Sequence, residues 1–352
     1  MNKRLIIYIL GTVLAYSCSK PTPSILAFCE KDEKGDYILK WEIYPEQDNA
    51  DIDIYASDND SIFSSVPLFT TSANNYIAIV NNGDSLNYRF FKLRVSGEMS
   101  AVISTRYYEL DSVQNFRDLG GYKTIDNRAM KWGKVFRSGH FGYATEHDLA
   151  TLSNLGIKTI IDLRPLDVAY RRPDRLIVDN NIALPITQSA YDRISEQVIN
   201  GKFFKGDAII YTQDLYRDIV VNYHEAYKKF FDLLMDEKNY PVAFHCSLGK
   251  DQTGIAAYFL LRALGISSEV AEDDYKFSDK GIDKSKLTFR VDTLSESKQE
   301  ALTMLTRTDP AYLRYAISCI RQQYGSVDEY LTKELEITDQ KKMKLQQILL
   351  YR

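Results

Sequence analysis

Hydrophobic and polar residues alternate with period two over much of the first hundred positions, the pattern of half-buried strands. Tyr37-Ile38-Leu39-Lys40-Trp41-Glu42-Ile43 alternates around a large aromatic, and Asp51-Ile52-Asp53-Ile54-Tyr55-Ala56 repeats the pattern. Tyr76-Ile77-Ala78-Ile79-Val80 runs into the turn cluster Asn81-Asn82-Gly83-Asp84. Tyr88-Arg89-Phe90-Phe91-Lys92-Leu93-Arg94-Val95 alternates again, and Ala101 to Leu110 is a further extended run. Short strands separated by turns predict an all-β sandwich over residues 24–110.

From residue 111 the period changes. Trp132-Gly133-Lys134-Val135-Phe136-Arg137-Ser138 reads as a short strand. Thr145-Glu146-His147-Asp148 opens a helix with Leu149, Leu152 and Leu155 on one side and Gly156 at its end. Ile157 to Arg164 is a buried strand with polar residues at its C-terminal end, and Ile182 to Ile186 is another candidate. Asp207 to Met235 reads as one long helix, Val242 to His245 as the central strand, and most of the chain beyond 255 as helical. Helices following strands predict a mostly parallel α/β sheet over residues 111–352, with ligand chemistry at the strand C-terminal ends.

The first residues form no part of either pattern. Lys3 and Arg4 precede an apolar stretch, Leu5 to Ala15, that is short for a membrane span. Ala15-Tyr16-Ser17-Cys18 and the hydrophilic Ser19-Lys20-Pro21-Thr22-Pro23 follow, an order similar to a bacterial lipoprotein cleavage box. Residues 1–17 are expected to be a signal peptide, with Cys18 carrying a lipid anchor; a plain secretory signal is the alternative. Both place the protein outside the cytoplasm, in the cell envelope, and the first holds it to a membrane through the lipid alone.

Composition narrows the function classes. The chain has 352 residues, 45% of them hydrophobic, and a formal net charge of -4, which speaks against an extended nucleic-acid surface. The other cysteines are Cys29, Cys246 and Cys319, which gives no disulfide framework. The histidines His140, His147, His224 and His245 are too scattered for a zinc motif, and no cofactor motif is present.

The candidate chemistry lies at Phe244-His245-Cys246-Ser247-Leu248-Gly249-Lys250-Asp251-Gln252-Thr253-Gly254, between the central strand and the next helix. Backbone N–H groups at a helix start converge and favour negative charge, so a thiolate or a phosphate placed there is stabilised. Cys246 stands at the first loop position, beneath that spot.

This loop resembles the phosphate-binding loop of the bacterial tyrosine/serine protein phosphatase-like family, H-C-x-x-G-K-D-R-T-G, except that Gln252 occupies the Arg position. Asn115-Phe116-Arg117-Asp118-Leu119-Gly120-Gly121, Val135-Phe136-Arg137-Ser138-Gly139, Ile161-Asp162-Leu163-Arg164, Asp274-Tyr275 and Tyr324-Gly325-Ser326 match further family segments in order. The resemblance implies a cysteine-phosphatase-like α/β domain acting on phosphorylated proteins or phosphoinositide-like substrates. The region before it looks like an immunoglobulin or fibronectin type III module, a spacer or a docking surface for a protein partner.

The resemblance also implies roles. Cys246 is the nucleophile that forms a phosphocysteine. Ser247, Leu248, Gly249, Lys250, Gln252, Thr253 and Gly254 form the phosphate cradle, with His245 supporting it. Lys250 reaches a phosphate or is a solvated charge. Asp251 orients a cation or takes part in proton transfer. Asp162 is the general acid or is a structural partner of Arg164. Arg137 borders the pocket, and Thr253 bonds the thiolate or caps the helix.

Gln252 decides competence. An Arg there would fork onto two phosphate oxygens, and Gln offers one neutral donor group. Loss of one preorganised donor costs on the order of 10²–10³ in rate. Three readings follow: an impaired enzyme with Lys250 or Arg137 partly replacing the charge, a pseudophosphatase that binds phosphorylated ligands, and a structural loop.

Overall fold

The computed structural model describes residues 22–32, 34–47, 49–81, 90–188, 191–283, 285 and 293–352, the Asp192 side chain excepted. The signal-peptide expectation, Cys18 and the turn at 82–84 lie outside them.

The period-two segments form two antiparallel sheets. Strands β1 (Ser24–Lys31), β2 (Tyr37–Tyr44) and β5 (Ile77–Val80) make one, in the order β1-β2-β5. Strands β3 (Asp51–Ser57), β4 (Phe69–Ser72), β6 (Phe90–Val95) and β7 (Glu98–Met99) make the other, in the order β4-β3-β6-β7. Alternate residues from each turn to a shared core: Tyr37, Leu39 and Trp41 meet Ile52, Ile54, Phe91, Leu93 and Val95. The Trp41 indole N–H donates to the Ala73 carbonyl at 2.8 Å, so this buried polar atom is satisfied. The strand expected over 101–110 does not form as one element. Its residues change partner as they leave the first unit, Ile103 bridging Phe91, Thr105 bridging Cys29 and Tyr107 bridging Arg117.

The second half builds one five-stranded sheet. Its strands are β8 (Arg117–Asp118), β9 (Val135–Ser138), β10 (Thr159–Asp162), β11 (Asn180–Ala183) and β12 (Val242–His245), in the order β11-β10-β12-β9-β8. All neighbours are parallel except the edge pair β8–β9. Every residue of β9, β10 and β12 is buried, as a sheet covered on both faces requires.

The helices before β12 are α1 (Glu146–Ser153), α2 (Leu166–Arg171), α3 (Tyr191–Ile199), α4 (Lys205–Asn222) and α5 (His224–Leu234). Those after it are α6 (Gln252–Ala263), α7 (Ser268–Lys276), α8 (Ser278–Gly281), α9 (Glu296–Thr306), α10 (Pro310–Tyr324), α11 (Val327–Lys333) and α12 (Asp339–Leu349). Thr145 caps α1 in a reciprocal box with Asp148. The single helix expected over 207–235 is two, because Tyr223 leaves helical geometry at φ -118°, ψ 24°. The break lets Leu215, Ile219 and Val220 of α4 and Tyr227, Phe230 and Phe231 of α5 all reach the main core. Among the described residues no helix is long and apolar enough to cross a membrane.

Candidate active site

The loop between β12 and α6 lies in the middle of the sheet, at the C-terminal end of its central strand. Cys246 is 2% exposed. The loop carbonyls are drawn back into the scaffold. Ser247 O accepts from the His140 N–H at 3.3 Å. Leu248 O and Gly249 O accept from Asn115 Nδ2 at 3.1 and 2.9 Å, and Gly249 O also accepts from Arg137 Nη2 at 2.7 Å. Among the described residues, the backbone N–H groups of Leu248, Gly249, Lys250 and Asp251 donate to no protein acceptor. Tying back the carbonyls leaves these donors for an anion.

Two glycines make this geometry possible. Gly249 has a φ of +67°, and a Cβ there would overlap the Ser138 carbonyl. Gly254 lies against Tyr275, whose ring would stand 2.9 Å from an added Cβ.

Beneath the loop lies a buried charge network. Arg137 and Arg117 both reach Asp274, through Nη1 to Oδ2 at 2.6 Å and Nε to Oδ1 at 3.0 Å. Arg117 also bonds Asn115 Oδ1, which turns the Asn115 amide toward the loop carbonyls. Burial raises the Asp274 pKa, but the two guanidinium groups overcome it and hold the carboxyl well below its usual range. Arg137 therefore supports the loop from behind and does not border the pocket.

A second network flanks the strand. His245 Nε2 meets Asp174 Oδ2 at 2.9 Å, and Arg164 pairs with Asp162 at 2.7 Å and with Asp174 at 3.2 Å. Burial lowers the His245 pKa, but Asp174 and Asp162 outweigh it and raise it above its ordinary value. Asp174 carries no motif, and nothing in the sequence singles it out. Asp162, Asp174 and His245 come close enough for a metal ion, but Arg164 already donates to both carboxylates.

The pocket at Cys246 is small, about 20 Å³, room for about one water. Ser247, Leu248, Asp251 and Gln252 of the loop line it with Cys246, and Tyr191, Tyr211, Thr212, Leu215 and Leu305 cover it from α3, α4 and α9. Asp251 lines this pocket and Asp162 does not; Asp162 is fully engaged by Arg164. Asp251 Oδ1 accepts from the Tyr216 hydroxyl at 2.8 Å, and the Tyr216 and Tyr275 hydroxyls are 2.6 Å apart. Burial pushes both phenols well above their ordinary pKa, so they stay protonated.

Lys250 corrects both expectations for it. It is buried, and its ammonium donates to Leu305 O at 2.6 Å and Arg307 O at 3.2 Å, at the C-terminal end of α9. An ammonium among the last carbonyls of a helix is favourable, which explains its removal from the pocket. Thr253 is buried too, and its hydroxyl bonds nothing among the described residues, so it does not cap α6. No cation lines the pocket among the described residues.

A buried cysteine under a strand-to-helix anion cradle defines a class of enzyme, and sequence comparison identifies it. The profile of the tyrosine phosphatase family matches residues 108–351, and the chain belongs to this family of phosphatase hydrolases. A provisionally named tyrosine-protein phosphatase of Cupriavidus necator is 29% identical over 237 residues, 64% of this chain and 83% of that protein. The triple specificity protein phosphatase PtpB of Mycobacterium tuberculosis is 28% identical over 260 residues, 63% of this chain and 92% of that protein. A tyrosine-protein phosphatase of Nostoc commune is 29% identical over 143 residues, 40% of this chain and 47% of that protein.

Proposed function

We propose that the protein hydrolyses phosphomonoesters through Cys246, at a rate held down by Gln252. The observation that carries this is the loop itself, with its carbonyls tied to Asn115 and Arg137 and the N–H groups of Leu248 to Asp251 without a protein acceptor among the described residues. The Cys246 sulfur attacks phosphorus, the ester P–O bond breaks, and Asp251 gives its proton to the leaving oxygen. Water then attacks the phosphocysteine, Asp251 takes its proton, and the S–P bond breaks to return thiolate and phosphate. Tyr216 and Tyr275 hold Asp251 in place for both steps. Phosphotyrosine is the substrate class we favour, because relatives are named for tyrosine and triple specificity; Tyr191, Tyr211 and Leu305, which cover the pocket, must move aside to admit it.

A second reading, a pseudophosphatase that binds phosphorylated ligands without turnover, is favoured by the lack of a cation in the pocket lining among the described residues. Hydrolysis of a generic aryl phosphate by wild type, Cys246→Ser and Gln252→Arg separates the two. Turnover by wild type above Cys246→Ser supports the enzyme. Wild type equal to Cys246→Ser, with activity gained by Gln252→Arg, leaves the pseudophosphatase.

The first unit, residues 24–110, we read as an immunoglobulin or fibronectin III-like module ahead of the catalytic domain at 111–352. The strand orders β1-β2-β5 and β4-β3-β6-β7 around a core tryptophan support this. The sequence before it supports export and lipid anchoring at Cys18. Release from the membrane fraction on Cys18→Ser is the expected result, and unchanged membrane association would refute the anchor.

A further inference from the structure

We propose that Arg307 supplies the phosphate-binding guanidinium that position 252 lacks. The inference rests on the loop being a phosphate site. The missing charge has few possible sources. Arg137 is committed to Asp274 and Gly249 O, Arg164 to Asp162 and Asp174, and Lys250 to two main-chain carbonyls. Arg193, near the pocket wall, pairs with Asp167 and donates to Gln188 O.

Arg307 differs from all of these. It is exposed, and its side chain makes no ion pair or hydrogen bond among the described residues. Its position is nevertheless fixed. It is the C-cap of α9, its N–H donating to Thr303 O, and its own carbonyl accepts from Lys250 at 3.2 Å. The same ammonium stands 3.4 Å from Asp251 Oδ1, which lines the pocket. The Arg307 main chain is thus two short links from the pocket acid, a span that an extended arginine side chain covers. Leu305, two residues earlier, already lines the cavity. Arg307 and Asp251 also act electrostatically on one phenol, Tyr312, whose pKa is raised mainly by burial. Lys250 therefore has an indirect part in phosphate binding: it holds the segment carrying the guanidinium against the loop.

The test is binding of inorganic phosphate to the full chain, followed by calorimetry so that turnover is not needed. Cys246→Ser is the parent in two backgrounds, native Gln252 and Gln252→Arg. With Gln252, Arg307→Ala weakens phosphate binding about 10-fold or more, and Arg307→Lys keeps part of the affinity. With Gln252→Arg, the same Arg307→Ala change costs less than about 2-fold, because the two guanidinium groups are redundant. Unchanged affinity on Arg307→Ala in the native background overturns the proposal. So does an equal loss in both backgrounds, which would mark a general charge effect. Absence of phosphate binding in every variant overturns the phosphate-site reading and this inference with it; phosphate binding that persists and does not respond to Arg307→Ala sinks the inference alone. Melting temperatures of all variants are compared first, and the exposed, unpaired Arg307 side chain predicts no change.

Discussion

At the scale of single residues, two acids near Cys246 have separate fates, and substitution tells them apart. Asp251 faces the pocket under Tyr216, whereas Asp162 sits in a fork of Arg164. Asp251→Asn should slow leaving-group release from esters with poor leaving groups by about 10²–10⁴-fold and spare the initial burst from activated aryl esters, because only the former need a proton in the first step; steady-state turnover of both should fall, because Asp251 also activates the water. Asp162→Asn should leave that leaving-group dependence unchanged and destabilise the fold by about 1–3 kcal/mol, because it removes the forked carboxylate partner of a buried guanidinium and leaves it Asp174 as counter-charge. Rates on esters of graded leaving-group acidity, with urea denaturation of the same proteins, check both; an altered leaving-group slope in Asp162→Asn would return the acid role to it. The strand–turn–helix pattern already located the loop that carries Cys246, Gly249 and Asp251; the roles expected of Cys246 and Asp251 came from the family resemblance. It could not show the destination of Lys250. Its partners are two carbonyls at Leu305 and Arg307, and a backbone acceptor has no residue-type signature. Asp174 escaped for a related reason: its partners His245 and Arg164 are brought to it only by the fold.

At the scale of elements, the strands were the most legible part. Buried apolar runs bounded by turns located β9, β10 and β12 to within a few residues, because a sheet covered on both faces demands such runs. The break between α4 and α5 was not legible, since Tyr223 is no helix breaker by type and the apolar repeat continues through it. Helix α9 presents the sharper case. Its own pattern buries Ala301, Leu302 and Leu305, but its last turn is held by a side chain from the Cys246 loop. Lys250→Met should keep the fold and loosen that turn. Amide hydrogen exchange near residues 303–307 is expected to rise about 10-fold, with little change in α10. Equal exchange in both proteins would show that apolar packing alone holds α9.

At the scale of the whole molecule, one tryptophan joins the two halves. The Trp132 indole donates to Val102 O at 3.0 Å and packs with Phe90 and Val102 of the first unit. Its other face lies on Gly120 and Gly121, where any Cβ would overlap it, so the paired glycines of the opening motif are spaces kept for this ring. Arg106 stacks on Trp132 and Tyr122 while its fork bonds Asp118 O and Gly120 O. Trp132→Ala should cost about 3–5 kcal/mol. It should also split thermal unfolding into two transitions where the wild type shows one, and a single unchanged transition by calorimetry would refute the coupling. The joint has a consequence for where the chemistry can act. A hinge would let the catalytic half sweep a volume; a wedged tryptophan makes the first unit a bracket. Whatever holds the bracket's free end then sets both the height and the bearing of the pocket mouth. Under the anchoring proposed at Cys18, the reach of the pocket above the membrane would be set by the first unit and its tether together, and lengthening that unit would shift which phosphorylated groups are met.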